Sequence, residues 1–276
     1  MTASAPDTER GALVDFHNHL APGVDDGAAD LAEALEGLRQ MRGQGIGTVV
    51  VTPHFQGALT RSPETLSARM AVLDEGWQAV CALAEARFPD LRIERGAEVM
   101  LDVPDVDLSD SRLRLGGSSY VLVEFSHFVV PPMSASALEQ LGSQGVVPVV
   151  AHPERYRRSG GFLATVEEWR AAGACLQVNA GSLVGQYGRG AEEAALELLR
   201  RGWVDYLSSD YHAKGPLPTQ ACREALVRIG AGEQASLLLE VNPGRILSDE
   251  PPLPVPPLPA GAGWWDRLLG RFRDRS

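Results

Sequence analysis

The sequence predicts an α/β chain wound into a parallel (β/α)7 barrel. Three observations carry that expectation. Seven short apolar, β-branched runs recur along the chain, at 12–16, 48–52, 91–95, 120–123, 146–150, 175–178 and 204–207. Amphipathic stretches separate most of them, so the pattern is strand then helix repeated. Several runs are apolar throughout instead of alternating, which suits parallel strands covered on both faces. A doubly wound open sheet is the alternative. It is weakened because no glycine-rich dinucleotide fingerprint follows the first run.

Residues 1–11 are expected to be a flexible lead-in and 12–248 to be the barrel. In 30–43, Leu31, Leu35, Leu38 and Met41 recur at helical spacing. In 64–88, Leu66, Met70, Leu73, Trp77, Val80 and Ala84 do the same, after the start signal Ser62-Pro63-Glu64. Further helices are expected at 135–143, 163–172, 190–201 and 218–229. These stripes read as core packing. Residues 102–118 form a long polar connection that reads as a lid over the strand ends. Residues 249–263 are proline-rich and read as an extended linker.

Composition narrows the function. The 276-residue chain carries a net charge of −11, which disfavours nucleic acid as a partner because phosphate neutralisation needs Lys and Arg. No apolar run approaches the roughly 20 residues of a membrane span. The N-terminus lacks the apolar core of a secretion signal. The three cysteines, Cys81, Cys175 and Cys222, form no disulfide framework. A cytoplasmic location is therefore expected.

The chemistry sits where the strands end. The first run closes on Asp15-Phe16-His17-Asn18-His19, the second on Thr52-Pro53-His54, and the third runs into Gly96-Ala97-Glu98. The fourth ends at Glu124, the fifth at Ala151-His152-Pro153, the seventh in Ser208-Ser209-Asp210-Tyr211-His212. Catalytic groups of parallel barrels come from these carboxyl ends. His17 and His19, two apart on an extended strand, present both imidazoles on one side. Asp210 and His212 repeat that spacing. Glu98 and Glu124 can each bridge two cations, as in paired-metal phosphate-ester hydrolysis. A lone His-x-His arises readily by chance, and a lone buried His or Glu is more often structural. Five of the six histidines, however, stand at these strand ends. The sixth, His127, reads as a solvated loop residue. Two C-x5-R spacings, Cys81 to Arg87 and Cys222 to Arg228, mimic cysteine-dependent phosphatases. Neither holds a glycine and both lie in helical patterns, so neither can wrap a phosphate.

The ordered set DFHNH, TPH, GAE, VEF, AHPERY and SSDYH resembles the polymerase-and-histidinol-phosphatase (PHP) superfamily. Pro22-Gly23-Val24-Asp25-Asp26-Gly27, Gln177-Val178-Asn179 and Asn242-Pro243-Gly244-Arg245-Ile246 sharpen the resemblance to its bacterial protein-tyrosine phosphatases of capsular and exopolysaccharide loci. The resemblance spans roughly 12–247. It implies a distorted (β/α)7 TIM-like barrel (PHP fold) holding two or three divalent cations. These are manganese by expectation, with zinc, iron or cobalt as alternatives. It assigns His17, His19, Asp26, His54, Glu98, Glu124, His152, Asp210 and His212 to the metals, with Asp25 a rival for the place of Asp26. It gives Arg155 to the phosphate, and Asp210 and His212 to catalysis. Relatives commonly carry a further arginine after the last histidine, where this chain reads Ala213-Lys214-Gly215-Pro216. Lys214 supplies charge without the planar fork.

The implied reaction is hydrolysis of phosphotyrosine on proteins by metal-activated water. A membrane-anchored tyrosine kinase of polysaccharide export is the expected substrate. Alternatives are a small-molecule phosphomonoesterase such as a histidinol-phosphate phosphatase, a metal-dependent deoxyribonuclease, or a noncatalytic barrel. Residues 264–276 stand apart. Trp265, Leu268, Leu269 and Phe272 share one helical face bordered by Arg267, Arg271 and Arg273. That pattern suits peripheral contact with an anionic membrane, or else an ordinary frayed terminus.

Overall fold

The computed structural model describes residues 12–156 and 161–259, apart from the side chain of His127. Seven staves run parallel around it. The first is β1, Leu13–Asp15. The second is broken into β2, Ile46–Val51, and β3, His54–Gln56. The break falls at Thr52-Pro53, where proline has no N–H to donate to a ladder. The third is broken likewise into β4, Arg92–Arg95, and β5, Glu98–Met100. Then come β6 (Tyr120–Glu124), β7 (Val147–Ala151), β8 (Cys175–Asn179) and β9 (Tyr206–Ser208).

The breaks split the pairing into two sheets, β1-β2-β4 and β3-β5-β6-β7-β8-β9, all parallel. The ring is completed only at its carboxyl end. There Asp210 N–H donates to the His17 carbonyl at 2.8 Å and His19 N–H to the Tyr211 carbonyl at 2.9 Å. Lower down, the Ser208 hydroxyl oxygen accepts the N–H groups of Phe16 and His17 at 3.0 and 2.9 Å. A side chain thus takes the place of a strand partner, which is the distortion the resemblance implied.

The period of two along each stave divides the core. Tyr120, Leu122, Val149, Ala151, Cys175 and Tyr206 join Phe16 and Ile246 in a cluster that fills the barrel. Continuing up the same faces, apolar residues give way to Glu124, Gln177, Asn179 and Asp210. A second, larger cluster lies between the staves and the helices.

The six expected helices form close to their expected bounds: α1 Leu31–Gly43, α2 Pro63–Arg87, α3 Ser134–Ser143, α4 Phe162–Ala171, α5 Gly188–Arg200 and α6 Thr219–Arg228. Asp30 caps α1, accepting from the N–H groups of Ala32 and Glu33, and Ser62 caps α2 ahead of Pro63.

Two expectations are corrected. Residues 102–118 are no lid. Leu108, Leu113 and Leu115 are fully buried, so the segment is pinned over the barrel in place of the helix missing between β5 and β6. The proline-rich stretch up to residue 259 is no free linker either. Asn242, fully buried, donates to the carbonyls of Asp205 and Leu253 and accepts from Leu253 N–H. Leu258 N–H reaches the Leu199 carbonyl at 3.2 Å, and Val255 and Leu258 are buried. Gly202, at φ +64°, lets this strap pass, since a Cβ there would lie 2.7 Å from the Val255 carbonyl oxygen. Short helical turns are not foreseen by the sequence, among them α7 Gly232–Ser236, a π-turn Leu237–Val241, and α8 Asn242–Leu247. The expected segments 1–11 and 260–276, the basic-aromatic tail included, lie outside the described residues.

Candidate metal centre

Every strand-end residue singled out above meets at the carboxyl mouth of the barrel. They form four overlapping groups, in each of which the donor atoms lie within 4.8 Å of one another: His17–His152–Asp210, His17–His19–Glu98, His54–Glu98–Glu124 and His19–Asp26–His54–His212. Glu98 is the hub. Its Oε2 lies 3.3 Å from His17 Nε2, 3.5 Å from His19 Nε2 and 3.0 Å from His54 Nδ1. Its Oε1 accepts from His152 Nε2 at 2.9 Å. Asp210 Oδ1 faces His17 and His19 from the other side, at 3.3 and 3.5 Å.

Two of these residues are aimed by unusual backbone. His152 has φ +37° and Asp210 φ +54°. Left-handed backbone outside glycine costs on the order of 1–3 kcal/mol and persists where the surroundings over-determine it. At His152 the turn breaks the alternation of β7 and brings the ring inward beside Glu98.

A layer of partners fixes which nitrogen faces the centre. Gln177 Oε1 lies 2.8 Å from His17 Nδ1. The Gln177 amide in turn donates to Asn179, and the Asn179 amide to Asp210 Oδ2, at 2.9 and 2.6 Å. His212 Nδ1 lies 2.9 Å from the Asp210 carbonyl oxygen. Each such bond leaves Nε2 pointing into the cluster, the usual second-layer arrangement of metal-binding histidines.

Asp25 and Asp26 stand in different places. Asp25 Oδ2 accepts from His19 Nδ1 at 2.8 Å and from His54 N–H at 2.9 Å, and Oδ1 from Gly27 N–H. Asp25 therefore orients His19 from behind. Asp26 Oδ1 faces the Nε2 atoms of both His54 and His212 at 3.4 Å. Asp26 is the one that joins the donor groups.

Several buried polar atoms here have no hydrogen-bond partner, among them His17 Nε2, His19 Nε2, His54 Nδ1 and Glu98 Oε2. Orphaned buried polar atoms are costly. These four converge on one another, and imidazole nitrogens with carboxylate oxygens are a fitting donor set for a divalent cation. The electrostatics agree. Burial alone would depress His17 and His19, yet the carboxylates of Glu98 and Asp210 hold both above the ordinary histidine value. His54, against the same opposing burial, is pushed up to about 10 by Glu124 and Glu98. Glu98 and Asp210, despite burial, are held well below the usual carboxylate range by the histidines around them. The site thus concentrates negative charge on carboxylates and draws cations, protons included. His212 goes the other way, lowered by burial and by the His19 ring stacked 4.0 Å from it.

Arg155 stands beside the cluster, on the turn Pro153–Arg155 that follows His152. Its Nη1 donates to Asp210 Oδ2 at 2.7 Å. With Asp26, Tyr187, His212 and Lys214 it lines an open cleft of about 330 Å³. Lys214 Nζ donates to the Asp26 carbonyl at 2.7 Å, so this lysine ties down the loop carrying Asp26. The two C-x5-R spacings lie within α2 and α6, away from this cleft. Burial raises the Cys81 thiol and pushes Cys222 up to about 12.

Sequence reasoning gave no role to Gln177, Asn179, Phe128 or Tyr187. The first two carried a usable signal: polar amides two apart at the end of an otherwise apolar strand.

Comparison with known proteins shows the family and the fold. A family model described as capsular polysaccharide synthesis, CpsB/CapC, matches residues 13–248. The chain is 30% identical over 202 residues to tyrosine-protein phosphatase YwqE of Bacillus subtilis, covering 72% of this chain and 77% of that protein. It is 27% identical over 248 residues to tyrosine-protein phosphatase CpsB of Streptococcus pneumoniae, covering 86% of this chain and 99% of that one. A solved structure from work on those two proteins, described there as unique metal-dependent tyrosine phosphatases, superposes with a TM-score of 0.77 at 28% identity. It covers 90% of this chain and 99% of its own.

Proposed function

This chain belongs to the CpsB/CapC family of capsular polysaccharide synthesis, and on that premise we propose that it is a metal-dependent phosphatase of phosphotyrosyl proteins. The observation that carries the proposal is the convergence of four orphaned buried donors, from His17, His19, His54 and Glu98, beside the guanidinium of Arg155. His17, His19, Asp26, His54, Glu98, Glu124, His152, Asp210 and His212 would hold two or three divalent ions. Glu98, touching three histidines with one oxygen and a fourth with the other, would be shared between ions. Such ions lower the pKa of water and offset charge on phosphoryl oxygens. Manganese is our choice, and the nitrogen–oxygen donor set also accepts zinc, iron or cobalt.

The residues divide the remaining work. Asp25, Gln177 and the Asp210 carbonyl hold the imidazoles of His19, His17 and His212 in one orientation. Arg155 clamps a non-bridging phosphate oxygen from the cleft wall. Asp210 and His212 line the same cleft as Arg155, on the side where a leaving group would depart, and a phenolate needs little protonation to leave. Among the described residues no helix is long and apolar enough to cross a membrane. The proposed substrate is a membrane-anchored tyrosine kinase of polysaccharide export, met in the cytoplasm. The tail 264–276 would supply peripheral contact with that membrane.

The test is a phosphatase assay on chelator-treated protein reloaded with Mn²⁺, Zn²⁺, Fe²⁺ or Co²⁺. Phosphotyrosyl peptide is compared with histidinol phosphate. Preference for the peptide supports the proposal; preference for histidinol phosphate, or turnover unaffected by chelation, refutes it.

A further inference from the structure

We propose that Phe128 and Tyr187 are positioning residues: an aromatic bracket that fixes the Arg155 guanidinium at the mouth of the cleft. The inference rests on the phosphatase reading for its kinetic consequence, but not for its geometry. The guanidinium carbon lies 4.5 Å from the centroid of Phe128 and 4.3 Å from that of Tyr187.

The two rings come from different staves. Phe128, on the loop after β6, has φ +53°, a backbone conformation rare for a bulky side chain. That loop is tied to the turn carrying Arg155, because the Tyr156 hydroxyl oxygen accepts Phe125 N–H at 2.8 Å. The Phe128 ring also packs edge-on against His152, at 5.5 Å. Tyr187 comes from the segment after β8. Residue 181, a glycine, leaves room for that ring. A Cβ there would lie 2.9 Å from Tyr187 Cε2 and 2.4 Å from Gln186 Oε1.

The bracket has a chemical consequence. A guanidinium is weakly hydrated, and its N–H groups lie in its plane. Rings over it supply cation–π attraction and exclude water from its faces. Polar partners are left to approach edge-on. Asp210 Oδ2 takes one such N–H, and the others remain for a phosphate oxygen. Without the rings the side chain regains its rotamers, and a displacement of about 1 Å in such a clamp costs on the order of a hundredfold in rate.

The experiment uses the full chain in two ways. In the ion-free protein, the Arg155 Nε–Hε resonance, identified by its loss in Arg155→Ala, is expected upfield because of ring currents. It should return toward the free-arginine position in Tyr187→Leu and Gly181→Ala, and stay in Tyr187→Phe, which keeps the ring. In the Mn²⁺-loaded protein, Phe128→Leu and Tyr187→Leu should each lower kcat roughly tenfold or more with metal content unchanged, and Tyr187→Phe should recover it. Placed in an Arg155→Ala background, the same leucine variants should cost nothing further, because the rings act through Arg155. An unshifted parent resonance, no kinetic loss, or equal losses in both backgrounds overturns the bracket. A parent protein that turns over no phosphate ester counts instead against the phosphatase reading, and the resonance then decides the bracket alone.

Discussion

Replacing Arg155 by alanine separates phosphate binding from metal binding. Nη1 of Arg155 donates to Asp210 Oδ2, but that oxygen also accepts from the Asn179 amide at 2.6 Å, and Oδ1 still faces His17 and His19. The alanine variant therefore leaves no orphaned carboxylate, and metal content should be preserved. A single preorganised donor to a developing anion contributes about 2.7–4 kcal/mol. The Arg155 side chain is 23% exposed, so water screens part of its field. About 2–4 kcal/mol is the expected loss, a fall in kcat/KM of roughly 30- to 900-fold. Arg155→Lys should recover part of this, because a lysine keeps the charge but not the planar fork. The assay is steady-state kinetics on a phosphotyrosyl peptide, paired with elemental analysis of the same samples. An alanine variant with parental kcat/KM and full metal would reduce Arg155 to a structural partner of Asp210 and refute the clamp.

Four further outcomes are expected. Chelation should abolish turnover and Mn²⁺ restore it, whereas Cys81→Ser and Cys222→Ser stay active, the second at a cost of about 1–2 kcal/mol in stability because it is buried; a folded but dead serine variant would point to thiol chemistry. Glu98→Ala and His152→Ala should lose metal along with activity, since Glu98 is the hub of the donor groups and His152 its partner, and unchanged metal in both folded variants would remove them from the centre. Asp25→Asn should weaken metal affinity roughly 10–100-fold by loosening His19 while Asp26→Ala removes a donor outright, so equal affinities in the two variants and the parent would contradict their division of labour. Metal loading at pH 7 should release protons, because His54 sits at about 10 and must lose its proton to bind; affinity then falls as pH falls, and calorimetry in two buffers of different ionisation heat that finds no proton release would overturn this.

The parts of this molecule legible in the chain were those with strong local signals. The periodic helices α1 and α2 form where Leu31, Leu35, Leu38 and Met41, and the start signal Ser62-Pro63-Glu64, announced them. The histidines and carboxylates were found because they follow apolar runs, and strand ends of a parallel barrel share one rim. Less legible were segments whose role depends on what they touch. Residues 102–118 look polar, yet three leucines pin them over a gap left by a missing helix. The proline-rich stretch looks like a spacer, yet Asn242, eleven residues before Leu253, stitches it to the barrel. Short turns such as α7 and the π-turn carry too few residues for periodicity to show.

By itself the sequence determined the family, the strand–helix order and the histidines and carboxylates expected at the strand ends, because these depend on residue type and spacing along the chain. The tertiary structure alone decided how those residues divide. Asp25 stands behind His19 while its neighbour Asp26 faces His54 and His212, and no pattern in one dimension separates adjacent aspartates on a loop. Arg155 gains its two rings from residues 27 positions before it and 32 after it. Such contacts arise only when the ring of staves brings neighbouring strand ends together, since direction in space is a property of the folded barrel and not of the chain.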